Sequence, residues 1–132
     1  MTFQLECADK SFRVDDAGEG DVRDVFAHPE ARGEHVILLR EDGSFLHAAG
    51  EGDGPFLLIF HEEPVRRSHQ AAEPVEREEA EQAFIDYLHG RSAWWDDREW
   101  FEVRTSWPIT FYLGIACLIF ALLLLIAAYL VW

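Results

Sequence analysis

The sequence predicts an α+β domain, with a mainly antiparallel sheet and two helices, followed by one C-terminal transmembrane helix. The charges separate these two parts. The 132-residue chain has 11 basic and 25 acidic residues, a net charge of −14, and all of them lie between Glu6 and Arg104. Residues 1–104 consist of short apolar segments separated by turn residues, which is typical of a small domain with many strands. Residues 105–132 carry no charge and are almost entirely apolar.

Seven segments show the alternation or the short apolar runs that are typical of strands. In chain order they are Thr2–Cys7, residues 12–14, His35–Arg40, Phe45–Ala49, Phe56–His61, Val65–Gln70 and Glu99–Arg104. The dipeptide Asp42-Gly43 predicts a tight hairpin between the third and fourth segments. The continuous apolar run at Phe56–His61 predicts a strand in the middle of the sheet.

Two segments of the domain have helical spacing instead. Residues 21–27 follow an acidic, glycine-rich loop at 15–20, and they end before Pro29. The second helix opens at Pro74 and ends at Gly90, because glycine suits a helix C-cap. Its apolar face consists of Ala80, Phe84, Tyr87 and Leu88. The predicted order is therefore ββ-α-ββββ-α-β, with the helices on one face of the sheet.

Residues 109–132 read ITFYLGIACLIFALLLLIAAYLVW and predict a membrane span. About 20 apolar residues are enough to cross a bilayer, and a domain of about a hundred residues is too small to bury such a helix on all sides. Aromatic residues mark both ends, as expected at the lipid–water interface: Trp107, Tyr112, Tyr129 and Trp132. Residues 105–108 form a short linker that keeps the domain close to the headgroups.

The basic residues nearest the span predict its orientation. Arg98 and Arg104 precede the span, no basic residue follows it, and no signal peptide is evident at the start of the chain. The positive-inside rule therefore predicts a tail-anchored, single-pass protein with a cytoplasmic domain and its C-terminus on the opposite side. Cys7 lies in the domain and Cys117 in the span, so we expect no disulfide, in agreement with a reducing compartment.

Small residues recur along one side of the span. Their separations of three, four and seven positions place them in one helical stripe: Gly114, Cys117, Ala121 and Ala128. Small side chains allow membrane helices to approach closely, although glycine and alanine are common in any span. The stripe predicts a packing face for a second membrane helix.

No motif for catalysis, phosphate binding or metal binding is present in the sequence. His35, His47, His61 and His69 fall on four neighbouring predicted strands, and convergence on one sheet face, together with Glu62 or Glu63, would form a metal site. Their spacing matches no recognised ligand pattern, and surface or half-buried histidines are the commoner outcome. We therefore expect a protein that is not an enzyme and has no cofactor. The negative charge also argues against binding nucleic acid.

Two groups of residues are candidates for contacts with a partner. Trp94, Trp95 and Trp100 lie close together in the sequence, near the predicted membrane surface, where tryptophans either complete a core or act as binding anchors. Arg66 and Arg67 are the only adjacent basic pair in the acidic domain. They are candidates for contact with anionic headgroups or an acidic partner.

Two parts of the sequence resemble small immunity proteins of bacterial polymorphic-toxin systems, including those that neutralise deaminase-type toxins. The first part is DGSFLHAAG followed by FLLIF, and the second is AFIDYLHGRSAWWDDREWFEV. The positions that carry the resemblance are Phe45, Leu46, Ala83, Phe84, Tyr87, Leu88, Gly90, Trp95 and Trp100. The resemblance covers about half of the chain. It implies a non-catalytic α+β domain that binds one protein tightly, with an acidic surface suited to a toxin's nucleic-acid-binding cleft. The apolar tail departs from the soluble members of that group.

Three functions follow from these features. The favoured hypothesis is an accessory or scaffolding subunit of a membrane complex, with integral membrane proteins as partners. The alternative is a membrane-tethered immunity-type protein that neutralises a soluble toxin-like protein. The third is an enzyme or metal-dependent sensor that uses the histidine-bearing face.

Overall fold

The computed structural model describes the backbone of residues 1–7, 9, 11–103 and 109–131, and the side chains of the same residues except 109–112. It confirms the α+β fold with an antiparallel sheet and a C-terminal apolar helix. The strands are β1 Phe3–Cys7, β2 Phe12–Val14, β3 His35–Arg40, β4 Phe45–Ala49, β5 Leu57–Glu62, β6 Arg67–Ala71 and β7 Trp100–Val103. The helices are α1 Glu19–Ala27, α2 Pro29–Arg32, α3 Arg77–Leu88, α4 Ala93–Asp96 and α5 Ile109–Val131.

The seven strands form one sheet in the order β2-β1-β3-β4-β5-β6-β7, and every neighbouring pair is antiparallel. Tight hairpins connect β3 to β4 and β5 to β6. The turn at Asp42-Gly43 has the predicted chemistry, because Gly43 adopts φ +95° and the Asp42 carboxylate accepts a hydrogen bond from the Ser44 amide at 2.9 Å.

The core lies between one face of the sheet and helices α1 and α3. Alternate residues of β1, β3, β4 and β5 point into it, among them Leu5, Leu38, Leu46 and Leu58, all fully buried. Phe26 of α1 lies edge-to-face with Phe84 of α3, with ring centroids 5.1 Å apart. Such pairs add specificity to apolar burial. We call this helix-covered side the inner face of the sheet.

Several boundaries differ from the predictions. Helix α1 begins at Glu19 rather than at residue 21, because the carboxylate of Asp21 accepts a hydrogen bond from the Gly18 amide at 2.9 Å and caps the helix. Helix α3 begins at Arg77 rather than Pro74, because Val75 exchanges two backbone hydrogen bonds of 2.8 Å with Phe56. The helix ends as predicted near Gly90, whose φ of +72° is left-handed.

Two short helices and the start of β6 differ from the sequence-based expectation. Helix α2 follows α1 directly and opens with Pro29 at its first turn, where proline is tolerated. Helix α4 contains the tryptophan pair, for which the sequence pattern predicts no helix. The strand expected at Val65–Gln70 begins at Arg67, because Arg66 has a positive φ of +55° and lies in the preceding turn.

Helix α5 is long and apolar enough to cross a membrane. It contains 23 residues, or about 35 Å of helix, and its Leu113–Val131 segment is not buried against the domain. A soluble core helix of this composition would be mostly covered, so the exposure agrees with a lipid-facing helix. The predicted linker 105–108, with Trp107, lies outside the described residues, as do the Tyr112 and Trp132 side chains.

Candidate functional site

One face of the sheet has no described helix packed on it. All helices of the domain pack on the inner face, so the alternate residues of β3 to β7 point to the opposite side, which we call the open sheet face. These residues are His35, Ile37, Leu39, Phe45, His47, Ala49, Leu57, Ile59, His61, Ser68, Gln70, Phe101 and Val103. None of them carries a formal charge, in a chain with 27% charged residues. A sheet face that contacts water normally carries charged and polar side chains. A face without charged strand residues is typical of an interface.

The most exposed apolar residues of this face lie on β7. Phe101 is 61% exposed and Val103 is 42% exposed, whereas the central residues of the face are half-buried by their neighbours. Strand β7 is the last strand before α5. The apolar surface therefore extends to the edge of the sheet from which the chain leaves toward the apolar helix.

Three of the four histidines converge on the open sheet face, and the fourth does not. His35 and His47 are joined by a hydrogen bond of 3.0 Å between Nδ1 and Nε2. Burial and the charge of His35 lower the pKa of His47. His61 lies on the same face, with Ser68 Oγ at 2.9 Å and Glu63 Oε1 at 2.8 Å from its two ring nitrogens. Hydrogen bonds thus engage one ring nitrogen each of His35 and His47 and both ring nitrogens of His61.

His69, the fourth histidine of the metal-site hypothesis, does not lie on this face. His69 pairs with Phe60 in the β5–β6 register and therefore points to the inner face, where its ring stacks on that of Phe60 with centroids 6.2 Å apart. Glu62 also points inward and lies 3.8 Å from His69. The register of β6, which a sequence pattern does not define, decides this side. A different group, Asp9, Glu34 and His35, brings potential ligand atoms within 4.8 Å of one another, but the two carboxylates are exposed.

The predicted tryptophans form one cluster on the inner face. Trp95 and Trp100 stack with centroids 4.9 Å apart, and the indole N–H of Trp100 donates to the Trp95 carbonyl oxygen at 3.0 Å. Trp94 packs against Phe60, with centroids 4.8 Å apart, and against Tyr87. All three tryptophans are half-buried, so each completes the core and still presents part of its ring.

This cluster forms one wall of an open groove of about 580 Å³, which we call the arginine groove. Its charged residues are Arg40 from β3, Glu62 from β5, Arg67 from β6 and Arg91 after α3. Arg40 pairs with Asp42 at 2.6 Å and Arg91 pairs with Asp86 at 3.2 Å. Arg67 forms no ion pair with the described residues. The acidic domain thus gathers three arginines around one set of aromatic rings.

Tyr87 lies in the wall of the groove, and its hydroxyl group is buried. The residue is 3% exposed, and its hydroxyl group has no hydrogen-bond partner among the described residues. Burial raises the pKa of Tyr87 to about 12. The Arg40 guanidinium lies 5.7 Å from the centroid of its ring. Tyr87, Arg40 and Arg91 were not predicted as interaction residues, because nothing in their spacing marks them.

The other predicted interaction residues lie on exposed surfaces. Arg66 is exposed in the turn before β6, next to Arg67 of the groove. Along α5 the small-residue stripe, Gly114, Cys117, Ala121 and Ala128, is exposed, and a Cβ added at Gly114 would meet no atom within 4 Å. Tyr129, one of the aromatic residues predicted to lie at the lipid–water interface, is 85% exposed. These positions leave room for lipid or for another helix.

Comparison of the chain with protein-family models, with characterised proteins and with solved structures found no match.

Proposed function

We propose that this protein is a non-catalytic, single-pass membrane protein that acts as an accessory or scaffolding subunit of a membrane protein complex. In this proposal α5 anchors the chain and packs against other membrane helices, and the open sheet face docks on a neighbouring subunit. The observations that carry the proposal are the absence of charged residues at the strand positions of that face from β3 to β7, and an exposed apolar helix in the same chain.

The two apolar surfaces support a partner that is itself in the membrane. Phe101 and Val103 belong to the open sheet face, and five residues separate Val103 from the start of α5. A partner with a membrane-embedded part and an extramembrane part would contact both surfaces at once. Two linked contacts of modest strength act at high effective concentration, so together they bind more tightly than either alone.

A charge placed on the open sheet face tests the docking contact. Ile59 lies near the centre of this face, between His47 of β4 and Gln70 of β6. We expect Ile59→Lys to remove the integral membrane proteins that co-purify with the full-length chain in a mild detergent, because a lysine would have to be desolvated in the contact. The same change of charge at the exposed Ala27 of α1, Ala27→Lys, is the matched control. Equal co-purification of both variants would contradict the proposal.

A second substitution tests the helix contact separately. Gly114→Leu adds bulk to the small-residue stripe, where helices would approach closely. We expect membrane insertion to remain and association with the partner to weaken. Unchanged co-purification would remove the stripe from the interface and would leave the open sheet face as the docking surface.

The orientation is part of the proposal and has its own test. Arg98 and Arg104 precede the span, and this supports a cytoplasmic domain. A cysteine added after Trp132 should then react with an impermeant thiol reagent only from the outside of intact cells. Reaction only after the cells are opened would indicate the reverse orientation.

The runner-up function is a membrane-tethered immunity-type protein that binds a toxin. The acidic helices favour it, because α1 to α3 present Glu19, Asp24, Glu30, Glu78 and Glu79 on the side opposite the open sheet face. Such a surface is complementary to a basic, nucleic-acid-binding cleft. Under this function a soluble basic protein would co-purify with Ile59→Lys as well as with the unaltered chain.

A further inference from the structure

The arginine groove lies at the end of the sheet from which the chain runs to α5. Val103, the last residue of β7, pairs with Ser68, and Arg67 is the next residue of β6 toward this end. Arg40 and Glu62 end their strands at the same side. From Val103 to the start of α5 at Ile109 an extended chain spans at most about 20 Å. If α5 crosses a bilayer, as proposed above, the groove is within reach of the headgroups.

The groove combines groups of both charges. Arg67 is unpaired among the described residues, and Arg40 and Arg91 keep free N–H donors after their single carboxylate contacts. Guanidinium groups bind phosphate with paired hydrogen bonds. Glu62 supplies a carboxylate in the same groove, 3.8 Å from His69. Half-buried Trp94 and Trp95 line the groove, and tryptophan rings attract quaternary ammonium groups.

The charge of the whole domain selects among ligands with this chemistry. A chain with a net charge of −14 is repelled by a strongly anionic membrane surface. A headgroup with one phosphate and one ammonium group carries no net charge and is not repelled. It also matches the groove, which offers arginines for the phosphate and a carboxylate with aromatic faces for the ammonium group.

We propose that the arginine groove binds the headgroup of a zwitterionic phospholipid, with the phosphate at Arg67 and the ammonium group at Glu62 and the tryptophan faces. The contact holds the membrane end of the domain against the bilayer. It orients the open sheet face toward a partner in the same membrane. The inference rests on the proposed function, because it needs α5 to lie in a bilayer.

The test uses the full-length chain in maltoside micelles that contain no phospholipid. Glycerophosphocholine, a phospholipid headgroup without acyl chains, is titrated and its binding is followed by calorimetry. Choline and glycerol 3-phosphate are the two halves of this probe and are titrated in parallel. We expect glycerophosphocholine to bind at least about tenfold more tightly than either half, because only the whole probe uses both charges. Equal binding of glycerol 3-phosphate would overturn the zwitterionic assignment.

Three variants assign the two ends of the ligand. Arg67→Gln should weaken binding of glycerophosphocholine about tenfold, and Arg66→Gln, the same change at the adjacent arginine that does not line the groove, should alter it less than twofold. Glu62→Gln should weaken glycerophosphocholine and strengthen glycerol 3-phosphate, because it removes a negative charge from the groove. Arg67 and Arg66 variants with the same affinity would show that only general charge matters, which contradicts the proposal.

A second arm distinguishes membrane lipid from a soluble ligand. In phosphatidylcholine nanodiscs the groove should already be filled by headgroups, so added glycerophosphocholine should bind at least about tenfold more weakly than in micelles. Unchanged affinity would show that the groove does not reach the bilayer. Failure of the proposed membrane anchor is seen independently, as extraction of the protein from membranes by alkaline carbonate.

Discussion

Arg32 is a buried cation whose replacement should destabilise the domain markedly. It is 1% exposed at the end of α2, and its guanidinium group lies 4.7 Å from the ring centroid of Phe56 and 5.7 Å from that of Phe26. It donates to the carbonyl oxygen of Phe26 at 3.3 Å and to that of Gly52 in the β4–β5 turn. We expect Arg32→Met to lower the free energy of unfolding by about 3 kcal/mol.

The magnitude is the difference between two opposing contributions. Two hydrogen bonds from a charged donor contribute about 2 kcal/mol each, and the interactions of the guanidinium group with the two rings add about 1 kcal/mol. Methionine retains most of the apolar packing, and its lack of charge removes a desolvation cost of about 2 kcal/mol. That cost is visible in the pKa of Arg32, which burial lowers.

Urea unfolding of the full-length chain in micelles, followed by tryptophan fluorescence, measures this change. Fluorescence of the domain's tryptophan cluster is a better probe than helix content, because α5 is expected to stay helical in the micelle. Arg23→Met is the control, since Arg23 forms an exposed pair with Glu19 at 2.7 Å and its replacement should leave the free energy of unfolding nearly unchanged. A loss below about 1 kcal/mol for Arg32→Met would refute the role of the buried cation.

Three further predictions concern the same unfolding assay. Because the pKa of His47 is lowered in the folded domain, the unfolded chain binds a proton more readily than the folded chain does. The free energy of unfolding should therefore fall as the pH drops below the unfolded pKa of about 6.5. His47→Gln should make the free energy of unfolding less dependent on pH between pH 7.5 and 5. Tyr87→Phe removes a buried hydroxyl group that has no hydrogen-bond partner in the described part of the chain, and it should stabilise the domain by about 1 kcal/mol. A loss of stability would indicate a partner for that group. At Gly50 an added Cβ would lie 2.5 Å from the carbonyl oxygen of Pro55, so Gly50→Ala should lower the free energy of unfolding by at least about 2 kcal/mol. An added Cβ at Gly20 of α1 would meet no atom within 4 Å, so Gly20→Ala should raise the free energy of unfolding by about 0.5–1 kcal/mol.

The strands that the sequence predicted best are those with strong local signals. Strands β3 and β4 have the predicted bounds, because alternation on both sides of Asp42-Gly43 leaves one hairpin register in which the apolar residues share a face. Strand β5 lies inside the sheet as predicted. The pattern alone does not reveal that the apolar residues of β5 serve both faces of the sheet. Leu58 and Phe60 fill the core, but Leu57 and Ile59 belong to the open sheet face.

The arginine groove could not be predicted, because its parts come from distant positions. Arg40, Glu62 and Arg91 come together only when three separate elements pack, and their spacing in the sequence does not indicate that they do. The side on which His69 points depends on the register of β6, which begins after an irregular turn. Local propensity defines strands and helices, whereas long-range packing defines this site.

Photo-crosslinking in living cells would show whether the open sheet face contacts an integral membrane protein. Benzoylphenylalanine placed at Phe101, an aromatic residue that is 61% exposed, would change the face little. We predict a crosslink from this position to an integral membrane protein and none from the exposed Ala27 on the helical side. No crosslink at Phe101, or the same products from both positions, would show that the open sheet face does not dock on such a protein.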